Sequence, residues 1–143
     1  MEQLYERDFS RWAETMADLL AAGDFTSLDI ENLVEEVRDL SKRERDRLLS
    51  SLRLILHHFL NWDYQPQKRS RSWQNTIDRE RNNIELYLED SPSLQRYLND
   101  GVSLAKMYRL ARADAIRETD LDFPKDCLYD MEDVLSRVIS LGE

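Results

Sequence analysis

The run LLSSLRLILHHFLNW, Leu48 to Trp62, constrains this chain more than any other stretch. Leu48, Leu52, Ile55, Phe59 and Trp62 recur at steps of three and four, and Leu49, Leu56 and Leu60 widen the stripe. That period belongs to a helix with a broad apolar face. A helix this apolar must be covered by other elements, so it is expected at the centre of the core. It must stop before Pro66, because the residue preceding a proline avoids helical geometry. The stretch from Leu48 to Arg81 also carries both histidines, two of the three tryptophans and the densest positive charge of the chain.

The rest of the chain supplies the cover. Three glycines, three prolines and no β-branched run point to an all-α fold. At 143 residues a single domain spanning 1–143 is expected, a bundle of five to seven helices packed up-and-down around a helix over 42–62. Phe9, Trp12, Met16 and Leu19 form one stripe, with Asp8 or an earlier residue as its cap and Gly23 as its stop. Ile30, Leu33, Val37 and Leu40 form the next, beside Val34, with Ser27 or Asp29 as cap. Ser41-Lys42-Arg43-Glu44 matches a capping box, which predicts a new helix from about Lys42, or a kink if the two helices run together. Ser70 or Ser72 starts a helix carrying Trp73, Ile77, Ile84 and Leu88. Ser91-Pro92 starts a short one, Ser103 to Thr119 form another, and Leu128, Met131, Leu135 and Val138 mark the last.

Charge and cysteine usage narrow the function classes. The net charge of −9, from 29 acidic and 20 basic residues, argues against nucleic acid or an anionic membrane as a general partner. Between Tyr64 and Asn83, five basic side chains meet two acidic ones, a local +3 against −12 elsewhere. The lone Cys127 reads as a structural thiol in a reducing compartment. There is no signal-like segment and no apolar run of membrane-spanning length, so a cytoplasmic protein is expected.

Several residues can carry chemistry, and each has a structural alternative. His57 and His58 point about 100° apart on a helix and have no third histidine, so no metal is expected. As core-boundary residues they would bond to neighbouring elements. Arg53 and His58 resemble the arginine–histidine pair of the HEPN-like helical ribonucleases of prokaryotic toxin systems. There arginine would stabilise phosphate charge and histidine would act as acid or base. Five helical steps set the two about 140° apart, however, and His57 is the one that shares a face with Arg53.

Arg69, Ser70, Arg71 and Ser72, with Lys68, sit at a helix start where backbone N–H groups can hold an anion. Trp62, Tyr64 and Trp73 can stack there. Alternatively the arginines pair with the acidic second helix and the tryptophans are core. Arg81 falls in the stripe of Ile77, Ile84 and Leu88, and a buried arginine needs a partner. Glu35, Glu36 or Asp39 are the expected carboxylates. The short linker 63–69 predicts that the flanking helices return antiparallel.

Set together, several pieces resemble one family. They are Leu4-Tyr5-Glu6-Arg7-Asp8-Phe9, Trp12, Leu28-Asp29-Ile30-Glu31-Asn32-Leu33, His57-His58-Phe59-Leu60-Asn61-Trp62, Tyr64-Gln65-Pro66 and Arg69-Ser70-Arg71-Ser72-Trp73. Asp90-Ser91-Pro92-Ser93-Leu94, Ala111-Arg112 and Glu118-Thr119 extend the match over most of the chain. The family is called domain of unknown function twenty-nine. Its members are common in cyanobacteria and are helical and single-domain, which the resemblance implies here too. No activity is assigned to the family, so the resemblance implies no catalytic residue. The expected function is a non-enzymatic helical interaction module without cofactor, acting with a protein partner or as a homo-oligomer. The alternative is a ribonuclease or a phosphate- or nucleic-acid-binding protein using Arg53, His58 and the segment Lys68 to Arg71.

Overall fold

The computed structural model describes residues 2–142. Among them are seven α-helices, two short 3-10 turns and no strand, so the fold is all-α. The helices are α1 (Glu2–Arg7), α2 (Phe9–Ala22), α3 (Ile30–Tyr64), α4 (Arg71–Asp90), α5 (Gln95–Asn99), α6 (Gly101–Thr119) and α7 (Met131–Ser136). No helix among the described residues is long and apolar enough to cross a membrane. The chain divides into two compact units, Met1–Arg43 and Glu44–Glu143, and α3 runs through the boundary.

α3 is longer than the sequence suggested. Residues 41–44 lie inside it, so no helix starts at Lys42. No glycine or proline falls between Ile30 and Tyr64, and a capping-box sequence is made of residues that a helix interior also accepts. Exposed pairs such as Lys42–Asp39 and Arg47–Glu44, three residues apart, lie on its surface.

The core of the second unit follows the stripe. Leu48, Leu52, Ile55, Leu56, Phe59 and Leu60 are fully buried. Ile77 and Ile84 of α4 and Met107, Tyr108, Ala111 and Ala115 of α6 complete the cluster. Side-chain pairings give the helix directions. Arg53 meets Asp114 and His57 meets Glu118, four residues on along both helices, so α3 and α6 run parallel there. Arg69 lies over Trp62 and Arg81 over Phe59, so α4 retraces α3 in the opposite sense. Up, down and up again is the expected bundle order. Ser70 caps α4 by accepting from Trp73 N, and Asp100 caps α6 through Ser103 N.

The last helix is shorter than its apolar spacing implied. α7 covers only Met131–Ser136, and Leu128 and Val138 are exposed. Asp130 and Asp133 form a capping box at its start. At its end Arg137 adopts extended backbone, and its side chain is drawn to Asp63. Residues 120–142 therefore form a mostly irregular strap.

In the first unit, Asp8 caps α2 through Arg11 N. Gly23 ends α2 with φ of 73°, a left-handed conformation that costs glycine little, and its N–H reaches the carbonyls of Leu19 and Leu20. Asp29 sits at the start of α3 and accepts from Asn32 Nδ2 at 2.7 Å and from Trp12 Nε1 at 3.1 Å. Trp12 and Met16 are buried, and the Tyr5 hydroxyl donates to Glu36.

Candidate functional site

The residues nominated for catalysis are engaged within the fold. Arg53 Nε and Nη2 donate to Asp114 Oδ2 and Oδ1 at 2.6 and 2.7 Å, a two-pronged pair. That hydrogen bond raises the Arg53 pKa and holds the Asp114 carboxyl below the usual carboxylate range. His57 Nε2 donates to Glu118 Oε2 at 2.6 Å. His58 turns elsewhere: its Nδ1 donates to Leu54 O at 2.9 Å within α3. Burial lowers the His58 pKa, against the opposing pull of that bond, so the ring is held neutral. Arg53 and His58 bond to different partners, Asp114 and Leu54 O, although the His58 ring centroid lies 5.3 Å from that of His57. The residue sharing a seam with Arg53 is His57, as the helical angles predict.

The basic segment divides in two. Arg69 faces inward, with Nε donating to Trp62 O at 2.8 Å and its guanidinium 5.0 Å from the Trp62 ring centroid. Ser70 Oγ accepts from Trp73 N at 3.3 Å, so its lone pair serves the helix cap. Arg71 and Ser72 are exposed. Trp62 is buried and Trp73 half-buried against the core, which matches the structural reading of the tryptophans. Tyr64 is exposed and meets the Phe123 ring edge-on at 5.2 Å.

Arg81 is where periodicity placed it, half-buried beside the core, but its partner differs from the one expected. Nε donates to Val134 O at 2.8 Å and Nη2 to Asp133 O at 3.1 Å. None of Glu35, Glu36 or Asp39 receives it. The end of α7 leaves Val134 O without a helical donor, which Arg81 Nε supplies, and Nη2 adds a second bond to Asp133 O, which also accepts from Arg137 N. The strap is tied down elsewhere by the same device. Arg112 Nε donates to Phe123 O at 2.9 Å, Tyr108 Oη to Pro124 O at 2.6 Å and Gln74 Nε2 to Ile139 O at 3.0 Å. Asp63 accepts from Arg137 at 2.6 and 2.9 Å and from Tyr129 Oη at 2.7 Å.

The first unit presents something different: apolar surface without cover. Ile30, Val34, Val37 and Leu40 are 42–62% exposed along one side of α3. Phe9 and Leu20 of α2 are about half exposed as well. Between the two helices lies a groove of about 360 Å³ lined by Phe9, Met16, Leu20, Leu33, Val37 and Leu40, among others. A second, of about 340 Å³, lies along Ile30, Leu33, Val34 and Val37, with Arg38 at its edge. Helical spacing in the sequence identified this stripe. It gave no sign that the stripe would stay uncovered, since a period of three and four reports only that one face is apolar. No group of three or more His, Cys, Asp or Glu side chains among the described residues is placed to hold a metal.

The molecule is thus an all-helical protein in which Arg53, His57, Asp63, Arg69 and Arg81 are engaged within the fold, and α2 and the start of α3 carry an exposed apolar strip. The chain belongs to the family described as Domain of unknown function DUF29, whose profile matches residues 4–138. No curated protein and no solved structure matches it.

Proposed function

We propose that this chain is a non-enzymatic interaction module that binds a protein through the apolar face of Met1–Arg43. The observation that carries the reading is the row Ile30, Val34, Val37 and Leu40, exposed on α3 and continuous with a groove that α2 completes. An isolated exposed leucine needs no explanation, but a contiguous apolar strip with a groove marks contact surface. A half-buried Cys127, its thiol donating to Tyr129 O, is in keeping with a reducing compartment such as the cytoplasm. The test is cross-linking in extract of the native cell, with the natural chain and with Val37→Asp. A partner that depends on Val37 supports the reading; equal capture by both chains refutes it.

The ribonuclease alternative has one favourable feature. With Nδ1 donating to Leu54 O, neutral His58 keeps Nε2 as a lone-pair nitrogen, which a general base needs. Against it, Arg53 is tied to Asp114 through two hydrogen bonds. RNA cleavage by the pure protein that disappears in His58→Ala would reinstate it.

A further inference from the structure

The exposed side of α3 has an internal order that says what fits on it. Ile30, Val34, Val37 and Ser41 follow the alternating four-three-four step of a coiled-coil seam. The row is nearly symmetric about the midpoint between Val34 and Val37. Reversing the helix puts Val34 where Val37 was and Ile30 where Ser41 was. One edge of this seam carries Glu31 and Arg38, both exposed and seven residues apart, so they share a face about 10 Å from one another. Neither has an ion-pair partner among the described residues. The two positions are equivalent in the seven-residue repeat. In an antiparallel pair of identical helices, equivalent edge positions meet each other. With Val34 set against Val37 of the other helix, Glu31 of each helix falls beside Arg38 of the other.

We propose that the face is covered by a second copy of this chain, with the two α3 segments 30–41 packed antiparallel about a two-fold axis near Val34 and Val37. This rests on the interaction-module reading above and names its partner. A two-fold interface must be complementary to itself, and the two Glu31–Arg38 pairs that the axis relates to one another satisfy that requirement twice. On its groove side α2 places Phe9 and Leu20 toward its ends and Ala13 and Ala17 between them. Small residues at the middle allow close approach. The competing occupant is a basic helix from another protein. It has a claim because residues 1–43 hold eleven acidic and five basic side chains. It does not account for Glu31 and Arg38 lying on either side of the midpoint at equivalent positions of the seven-residue repeat.

Light scattering over a concentration series, on the full chain, decides. The natural chain is expected at twice the monomer mass. Glu31→Arg alone and Arg38→Glu alone each turn two attractions into two repulsions and should weaken dimerisation by about tenfold or more. The double variant Glu31→Arg with Arg38→Glu should recover it. So should an equimolar mixture of the two single variants, which can pair only with each other. Both positions are exposed, and recovery in the mixture shows that each single variant is folded. A natural chain monomeric at every concentration overturns the proposal. So does a dimer indifferent to Glu31→Arg, which would lie on another surface. If the chain is monomeric but its Val37-dependent capture of a different protein persists, the module reading stands and only the second copy is rejected. If both are lost, both fall.

Discussion

Replacing Asp63 by asparagine should loosen the strap of residues 120–142 from the end of α3. Asp63 Oδ1 accepts from Arg137 Nη2 at 2.6 Å, while Oδ2 accepts from Arg137 Nη1 at 2.9 Å and from Tyr129 Oη at 2.7 Å. Every partner is a donor. Asparagine has nearly the same shape, but one oxygen becomes an NH₂ group that must face a donor. Its better orientation keeps the oxygen on Tyr129 and Arg137 Nη1 and turns the NH₂ toward Nη2. One charge-assisted bond is then lost, worth about 1.5–3 kcal/mol, and the guanidinium is left without its counter-charge. Breaking a fully buried pair costs about 3–5 kcal/mol. Here the side chains keep 25% and 33% of their exposure, so water recovers part of that loss. A cost of about 2–3 kcal/mol is expected in urea unfolding followed by tryptophan fluorescence. Replacing Asp63 and Arg137 together by leucine should cost less than the two single changes added. The pH dependence has a definite sign. Burial raises the Asp63 pKa, but the bonds from Arg137 and Tyr129 outweigh it, and the net shift is downward. The contribution is therefore complete above the unfolded value, about 3.9, and is lost as pH falls through the lower folded value. A cost below about 0.5 kcal/mol near neutrality, or strict additivity in the leucine cycle, would refute the clamp.

Other changes probe the same logic. Arg81→Met should cost about 1.5–3 kcal/mol and speed amide exchange over residues 131–137, because Val134 O loses its donor while Asp133 O keeps Arg137 N. Combined with Glu36→Gln it should be additive in urea unfolding, since its partners are carbonyls and not the acidic residues of α3. His58 is held neutral by burial, so the natural chain should lose stability as pH falls below about 6.5, and His58→Gln should flatten that slope in urea titrations at several pH values. Gly23→Ala should cost about 1 kcal/mol in thermal unfolding from its φ of 73° alone, as no atom lies within 4 Å of the added Cβ.

How much of this was legible follows from what each interaction requires of the sequence. The Leu48–Trp62 stripe was legible because burial of a helix face demands apolar side chains at fixed steps, and those residues are buried. Asp8, Gly23 and Ser70 were legible as caps because few residue types perform that role. The sequence left open whether a new helix starts at Lys42 or the two helices run together, and they run together because serine, lysine, arginine and glutamate suit a helix interior as well as a start. The burial of Arg81 was legible, but its partner was not. Periodicity shows that a charge lies inside the stripe, whereas carbonyl acceptors belong to every residue and leave no trace in composition. The Arg112, Gln74 and Tyr108 ties to the strap were missed for the same reason. Val138 and Leu128 continued the α7 spacing, yet the pull of Asp63 on Arg137 ends the helix first.

The division of chemistry between the two units bears on the choice between reaction and recognition. A catalytic group has to present a lone pair or a proton to another molecule, and binding one costs it whatever partner it already holds. In Glu44–Glu143, Arg53, His57, Asp63, Arg69, Arg81, Arg112 and Arg137 all have partners within the fold. Freeing any of the better-buried ones would expose a charge to a low-dielectric neighbour, at a cost of a few kcal/mol before any substrate bound. A hydrophobic contact carries no such debt. Val37 or Leu40 gives up only its contact with water, and each apolar Å² removed from water is worth roughly 25 cal/mol. Docking through Met1–Arg43 would thus proceed without dismantling any of the polar joints that fasten the strap. It would also leave those joints as a readout, because a change confined to Ile30–Leu40 should alter association and leave amide exchange in residues 120–142 as it was.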